Sequence, residues 1–403
     1  MTLPPTYYDF MCKLRPTLIE KGEQDAADLL SGSNPPQTIQ SVDDYDSRLP
    51  QYIERLNADI LGYGDDHPGV SIEEMSLFLS SAPPQAKAFL TGLYDTVNYE
   101  YHSVVNFALA GKKTFHFSDN LAEHLANTEI NVKAELIQLP FPTCLFTFTS
   151  RVVINAMHNI RGDAGRDAMN FTGLDYSAPV SVFLTMLPAG VNLPGRKLMM
   201  CAWHARLPNT SYLALKRELY LGDNWTLEQA LRTDWETLTP TNLGVGKRVD
   251  PNEESIAYLD DETFYTDGLS FYRIVLNAVL YLSSDKAELT AKKSLHKEIE
   301  NRAKGIASPP KRRKLLQTIG RYTSLDYEEV GASVGPIVIQ KGDAEGDAGG
   351  RGGRKPLVRF MVRGHWRRQP HRPENQDRKL IWIRPYYKGP DLAATINKPY
   401  LVK

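Results

Sequence analysis

The hydrophobic period of the sequence changes near residue 130, and this change determines which fold class is possible. Before it, apolar side chains recur mostly every three or four residues, as they do on one face of a helix. After it, segments rich in β-branched and aromatic residues indicate strands. The expected helices span 17–30, 44–61, 71–82 and 85–109, and the expected strands span 135–149, 178–187 and 197–206. We therefore predict an α+β fold with a helical N-terminal region and a mostly antiparallel central sheet accompanied by helices.

Two further helices are expected after these strands, at 225–237 and 260–282. In the second, apolar residues such as Tyr272, Val275 and Val279 form a wide stripe, which is typical of a buried helix. The charged stretch 291–314 is expected to continue as a surface helix. It ends in two prolines and four consecutive basic residues, a composition typical of a linker. We predict four regions: a flexible N-terminal tail with one helix (1–33), an acidic α+β body (34–290), a charged linker (291–320) and a basic, aromatic β module (321–403).

Opposite charges are segregated along the chain. Residues 286–403 contain 26 Lys and Arg against 12 Asp and Glu, a net charge of +14, whereas residues 1–285 contain 21 against 36, a net charge of −15. Such asymmetry predicts that the basic part binds a polyanion such as nucleic acid. The alternative is that the two halves dock and neutralise each other.

Several classes of protein are disfavoured by the sequence. The start has no basic segment followed by an apolar one, and no apolar run approaches the length of a membrane helix. Cys12, Cys144 and Cys201 lie far apart, which disfavours disulfides and zinc fingers. Nucleotide-binding and hydrolase motifs are missing as well. We expect a protein of a reducing cytosol with no membrane partner, no cofactor and no metal.

The segment Gly335 to Lys388 is the most informative part of the chain. Between Arg351 and Lys388 there are twelve basic residues, two acidic ones and several aromatic residues. We expect strands at 335–340, 357–363 and 379–387, the last two paired as a hairpin whose exposed arginines and rings suit phosphates and unstacked bases. The candidate nucleic-acid-binding residues are Arg359, Arg363, His365, Trp366, Arg367, Arg368, Arg378, Lys379, Trp382, Arg384 and Tyr386.

His365 also raises the question of catalysis. A histidine titrates near neutrality, so His365 could act as general acid or base in metal-free RNA cleavage, with Arg363 or Arg367 stabilising the phosphate. The alternative is that His365 and Trp366 are packing residues at the end of a hairpin. A single histidine without a placed partner favours packing over catalysis, whereas simple anion binding is favoured over packing.

The sequences around this histidine resemble a known group of proteins. Residues 358–368 (VRFMVRGHWRR) and 378–385 (RKLIWIRP) resemble the C-terminal module of phage, prophage and plasmid proteins, a group that includes the type V-A anti-CRISPR protein that lowers synthesis of its target nuclease. Residues 136–148 and 272–289 are more loosely similar to it. The resemblance implies a mobile-element protein that recognises a nascent polypeptide and promotes loss of the mRNA encoding it.

Three functions are compatible with these observations. The first is a non-enzymatic regulator whose body holds a protein or nascent peptide and whose basic module holds RNA or the ribosome. The second is a metal-independent ribonuclease that uses His365. The third is a phage structural or assembly protein that grips the genome or neighbouring subunits. No oligomeric state is predicted.

Overall fold

The fold is taken from a computed structural model of the full chain. The structure describes residues 2–31, 100–159, 173–174, 176–188, 195–207, 212–236, 261–340, 359–371 and 377–388. Its helices are α1 (Tyr7–Leu14), α2 (Pro16–Ser31), α3 (100–109), α4 (Asp119–Ala126), α5 (Arg151–Asn159), α6 (Leu227–Glu236), α7 (Asp261–Leu282), α8 (Leu295–Lys304) and α9 (Pro309–Leu316).

Thirteen strands lie within these described segments. They are β1 (Thr114–Phe117), β2 (Thr143–Phe148), β3 (Gly173–Leu174), β4 (Val180–Pro188), β5 (Arg196–Leu207), β6 (Tyr212–Leu221), β7 (Leu289–Lys292), β8 (Tyr327–Val330), β9 (Ile339–Gln340), β10 (Phe360–Val362), β11 (His365–His371), β12 (Asp377–Ile383) and β13 (Tyr386–Lys388). The first eight form one sheet in the order β3-β5-β4-β2-β1-β8-β7, with β6 also paired to β5.

The sheet is mixed but mostly antiparallel. Only β1 runs parallel to its neighbours β2 and β8, and the remaining strand pairs in this sheet are antiparallel. The predicted α+β class is therefore confirmed. The parallel pair β1–β2 is connected through α4, so the centre of the sheet is a βαβ unit.

Both faces of the sheet are covered by helices. One face contributes residues such as Phe146, Val182 and Met200 to a core shared with α4, α5 and α7. The other face contributes Leu145 and Phe183, among others, to a second core shared with α1, α2 and α3. The strands at the centre are consequently buried on both sides, and all six residues of β2 are buried.

A buried carboxylate fixes α1 to the body. Asp9 is only 5% exposed, and its two oxygens accept hydrogen bonds from Thr6, Thr323 and Ser324. Beside it, the ring of Tyr7 stacks on that of Trp203 with centroids 4.6 Å apart. Since buried polar groups are stable only when paired, this network holds the first helix against residues more than 300 positions away.

The N-terminal region differs from the predicted flexible tail. Residues 2–31 form two helices, because Tyr8, Met11 and Ile19 have a complementary apolar sheet face to pack against. The predicted helix at 17–30 is confirmed by α2, and residues 100–109 of the predicted 85–109 helix are helical. The predicted helices at 44–61 and 71–82 lie outside the described residues.

The predicted linker at 291–320 is folded in the structure. It contains the last two residues of β7 and all of α8 and α9, so the surface helix expected in 291–314 is present as two helices. β8, beyond its end, belongs to the main sheet beside β1. A domain boundary at residue 321 would therefore divide this sheet. Strands β1 and β8 were missed because each has only four residues, and β1 shows no polar alternation when all its side chains are buried.

The Asp9 network makes the first testable prediction. We expect Asp9→Ala to lower the free energy of unfolding by about 2–4 kcal/mol, since several donors lose a buried acceptor. Glu20→Ala, which changes an exposed acid on α2, serves as the control. Chemical denaturation of the full chain measures both, and equal midpoints for the two variants would contradict this role of Asp9.

Candidate functional site

The basic C-terminal module has a different strand pairing from the one predicted. β11 pairs with β12 as an antiparallel hairpin, with Trp366 opposite Trp382, whereas β10 pairs with β13 and β13 pairs with β9. Only Ile339–Gln340 of the predicted 335–340 strand is extended in a sheet. The predicted pairing of 357–363 with 379–387 is confirmed only where Met361 and Val362 pair with Tyr387 and Tyr386, whereas 379–383 pairs with β11 instead. The physical reason is an interruption at residue 364, between β10 and β11.

Gly364 makes this interruption because it contacts the body directly. Its N–H donates to the carbonyl of Asn127 at 2.9 Å, and its own carbonyl accepts from the N–H of Glu129 at 2.8 Å. A Cβ at this position would lie 2.6 Å from Thr128 Oγ1 and 2.8 Å from the carbonyl oxygen of Ile383. Glycine is thus required by close approach of the backbone to the segment after α4.

Trp366 is a packing residue. Its side chain is only 8% exposed, and its indole N–H donates to Asn277 Oδ1 at 2.7 Å. The Nδ2 of Asn277, a fully buried residue of α7, donates in turn to the carbonyls of Leu125 (3.0 Å) and Thr128 (2.8 Å). Trp366 is therefore not available to stack on a base, and packing, the alternative considered for it, is the role that it has in this structure.

Trp382 extends the same contact. Its indole N–H donates to Thr128 Oγ1 at 3.1 Å, and that hydroxyl donates to the carbonyl of His124. The ring stacks on Trp366 with centroids 6.0 Å apart, and the ring of Tyr281 is nearly perpendicular to it, with centroids 5.4 Å apart. We call these two indoles, with Asn277 and Thr128, the tryptophan anchor, because they bind the module to α4 and α7.

His124 completes the underside of the anchor. Burial lowers the pKa of His124, so its ring is neutral at pH 7. Its Nε2 lies 3.1 Å from the carbonyl of Gly335, which can only accept, so this nitrogen must hold the proton. The ring also meets Trp382 edge-on at 6.0 Å. The start of the module is thereby bonded to α4 as well.

The remaining candidates divide into exposed and engaged side chains. The exposed ones are His365, Arg367, Arg368 and Arg384, and the half-buried ones are Arg359, Arg363, Lys379 and Tyr386. Lys379 forms an ion pair with Asp285, and Arg368 lies 3.9 Å from Glu135. Arg378, on β12, pairs with Pro370 of β11. The side chain of Arg378 lies outside the described residues.

His365 and Arg367 share the outer face of the hairpin, opposite Ile383 and Ile381. The Arg384 guanidinium lies 5.5 Å from the centroid of the Trp382 ring, so it covers the indole that anchors the module. No hydrogen bond joins the His365 ring to another described side chain. Cleavage of RNA by His365 stays a hypothesis, and the exposed cations are the groups that anion binding would use.

The body also contains a cleft that was not predicted from the sequence. An open cleft of about 550 Å³ lies at the carboxyl ends of β1 and β2, lined by Asp119, Glu123, Arg151 and Tyr176 among others. Ligands commonly bind at this end of parallel strands. The Arg151 guanidinium lies 5.2 Å from the centroid of the Tyr176 ring. Since β1 was not predicted, no sequence signal indicated a parallel pair here.

The described residues contain neither a cluster of metal-ligating side chains nor a helix that could cross a membrane. Within them, no three His, Cys, Asp or Glu side chains cluster as a bound metal ion would require. None of the helices described above contains a stretch long and apolar enough to span a lipid bilayer.

Comparison with known proteins identifies the family. The family model described as AcrVA2-like, the anti-CRISPR type V subtype A2 family, matches residues 115–387. The chain belongs to this family. A solved structure described as the crystal structure of AcrVA2 is 9% identical, with 85% of this chain and 94% of that chain covered and a TM-score of 0.28. No curated protein matches the chain.

Membership of the anti-CRISPR family supports an anti-CRISPR-like protein of a phage or other mobile element, as the resemblance implied. The matched region begins in β1 and ends in β13, so it contains the central sheet, the cleft and the whole tryptophan anchor. Helices α1, α2 and α3 precede it. One face of the matched sheet is therefore covered by α1, α2 and α3, which lie outside the matched region.

The tryptophan anchor makes the second prediction. We expect Trp366→Phe to lower the free energy of unfolding by about 1–3 kcal/mol, because Asn277 Oδ1 loses its buried donor. His365→Ala, at the exposed neighbouring position, should change it by no more than about 0.5 kcal/mol. Thermal and chemical denaturation of the full chain measure both. A neutral Trp366→Phe or a strongly destabilising His365→Ala would contradict the assignment.

Proposed function

We propose that this family member suppresses type V-A CRISPR immunity by lowering production of the nuclease, with its basic module bound to RNA or the ribosome and its body bound to the nascent nuclease peptide. The observation that carries the proposal is the family match from residue 115 to residue 387, which includes both parts. The tryptophan anchor supports it further, because a module packed on the body keeps peptide recognition and RNA contact at a fixed separation.

The RNA contact is proposed for the exposed cations of the module. Arg367 and Arg384 are exposed, and His365 lies beside Arg367 on the outer face of the hairpin. Positive groups that face solvent attract phosphates without reading sequence, and their contribution weakens as salt concentration rises. Trp366 has no part in this contact, since its role is to hold the hairpin in place.

The peptide contact is proposed for the cleft at the ends of β1 and β2. Asp119 and Glu123 place two carboxylates on the first turns of α4, and the exposed side chains of Tyr176 and Val152 add apolar surface beside them. Carboxylates favour a partner with a positive group, such as an ammonium or a basic side chain. Exposed apolar groups next to a cleft are typical of protein-binding surfaces.

A cell-based experiment tests the proposed function. Bacteria with a type V-A system that targets a phage are made to express this protein, and phage plaquing, nuclease protein and nuclease mRNA are measured. We expect plaquing to recover and both nuclease protein and mRNA to fall. A second strain with a frameshifted nuclease gene should keep its mRNA, since no nuclease peptide emerges. Recovery of plaquing with unchanged nuclease protein would contradict the proposal.

Paired substitutions separate the two contacts. We expect Arg367→Gln with Arg384→Gln to leave peptide binding intact and to abolish the loss of mRNA, because two cations of the proposed phosphate contact are removed. Arg367→Gln alone, which keeps the contact of Arg384 with Trp382, should act in the same direction. Asp119→Asn with Glu123→Gln should abolish peptide binding, measured by pull-down of the nascent chain. Lys133→Gln with Lys197→Gln removes two positive charges elsewhere and is the control for the arginine pair. If all three paired variants behave alike, the assignment of the two surfaces is wrong.

A further inference from the structure

The hairpin of helices α8 and α9 projects from the body between β7 and β8. Its base is fixed, since the Ser294 N–H donates to Asp326 Oδ1 at 2.8 Å and the Ser294 hydroxyl donates to the carbonyl of Thr323 at 2.7 Å. Ala303 is the buried residue of α8, and α9 has no buried residue. The second helix of the hairpin therefore contributes almost nothing to the core of the protein.

Positive charge is concentrated at the end of this hairpin. Lys311, Arg312, Arg313 and Lys314 follow one another in α9 and are all exposed. Consecutive helical residues are about 100° apart, so the four side chains surround most of the helix. In the part of the chain that the structure describes, none of them forms an ion pair.

The base of the hairpin is different, because its cations are paired. Lys292 lies 3.1 Å from Glu329, and Lys293 and Lys297 lie 3.6 Å and 3.4 Å from Asp326. α9 has no acidic residue in its first turn that would offset its charge. Like charges at three-residue spacing destabilise an isolated helix. Arg313 and Lys314 in the last turn are favoured by the helix dipole, whereas Lys311, near the start of α9, is opposed by it.

The surface around these cations has the form that an extended polyanion needs. Arg312 and Arg313 line an open groove of about 500 Å³ together with Pro309, Leu316 and Gln317. Leu316 is 40% exposed, which gives the groove one apolar contact beside its guanidinium groups. Protein interfaces are usually centred on several aromatic or apolar anchors, and the groove offers one leucine, whereas phosphate backbones are bound mainly through charge.

We propose that α9 is a second nucleic-acid contact, in which Lys311 to Lys314 bind the phosphates of single-stranded RNA. This inference deepens the proposed function and rests on its claim that the protein binds RNA. The helix lies in the connection between β7 and β8, at one edge of the main sheet. This surface is separate from the β11–β12 hairpin that the tryptophan anchor holds. The four cations act by neutralising phosphates, so the contact is independent of RNA sequence.

The experiment measures binding of the full chain to a labelled single-stranded RNA of about 20 nucleotides by fluorescence anisotropy, over a series of salt concentrations. For the K311Q/R312Q/R313Q/K314Q variant we expect at least about tenfold weaker binding at low salt and a slope of log affinity against log salt that is smaller by about 3, since each lost contact removes about 0.7. Glutamine favours helices, and circular dichroism checks that the variant is folded.

Two further variants make the outcome specific. K21Q/K113Q/K133Q/K197Q removes the same formal charge from surface positions away from this hairpin and should bind within about threefold of the original chain, since surface charges beyond a Debye length are screened. R367Q/R384Q tests the cations of the basic module that the proposed function uses. If this variant binds RNA more weakly while the α9 variant does not, this inference is overturned and the proposed function stands.

The opposite result, weaker binding only for the α9 variant, supports this inference. It would also mean that Arg367 and Arg384 are not the RNA contact of the proposed function. Unchanged RNA binding by the α9 variant overturns the inference in every case. A titration with polyglutamate provides the remaining comparison. If α9 substitution abolishes polyglutamate binding and leaves RNA binding intact, the helix binds an acidic protein segment and the inference is overturned.

Discussion

The buried amide of Asn277 is the interaction on which the arrangement of this protein depends. One side chain joins three parts of the chain: the long helix α7, the segment after α4, and β11 of the basic module. The Asn277 Oδ1 accepts one hydrogen bond and its Nδ2 donates two. An amide is stable in a core only when its polar atoms are paired in this way. Without Asn277, the indole N–H of Trp366 and two backbone carbonyls would lose their partners together.

This constraint changes what the aromatic residues of the module do. An interleaved series of rings and cations suggests a stacking platform for bases, yet the two tryptophans face the body. We therefore propose anion binding for side chains that project away from the anchor, such as Arg367, and for α9. The anchor acts on function indirectly, because it determines where these cations are placed relative to the cleft.

A second constraint comes from the sheet, which is apolar on both faces. The family match spans residues 115–387. Within it, Leu145, Phe183 and Trp203 form an apolar sheet face whose helical packing partners lie outside the match. In this chain α1, α2 and α3 cover it, and Asp9 fixes the first of them. The helices before the matched region are thus part of the folded body.

Sequence reasoning was most accurate where a pattern was long. Helix α7 was predicted to within one residue and β5 likewise, because their apolar residues repeat over many positions. It failed for β1, which has four residues, all buried, and whose partner β8 lies more than 200 positions away. The role of Trp366 was equally hidden, since the partner of its indole is 89 positions away and no local pattern distinguishes a buried indole from an exposed one.

The basic module is packed on the body as part of one folded unit. Hydrogen–deuterium exchange of the full chain reports on this packing at the amides of Gly364 and Glu129, which are bonded across the contact. We expect these amides to exchange as slowly as those of the central strand β2, because both require opening of the same core. Rapid exchange at Gly364 and Glu129, with β2 still protected, would show that the module moves independently and would contradict this packing.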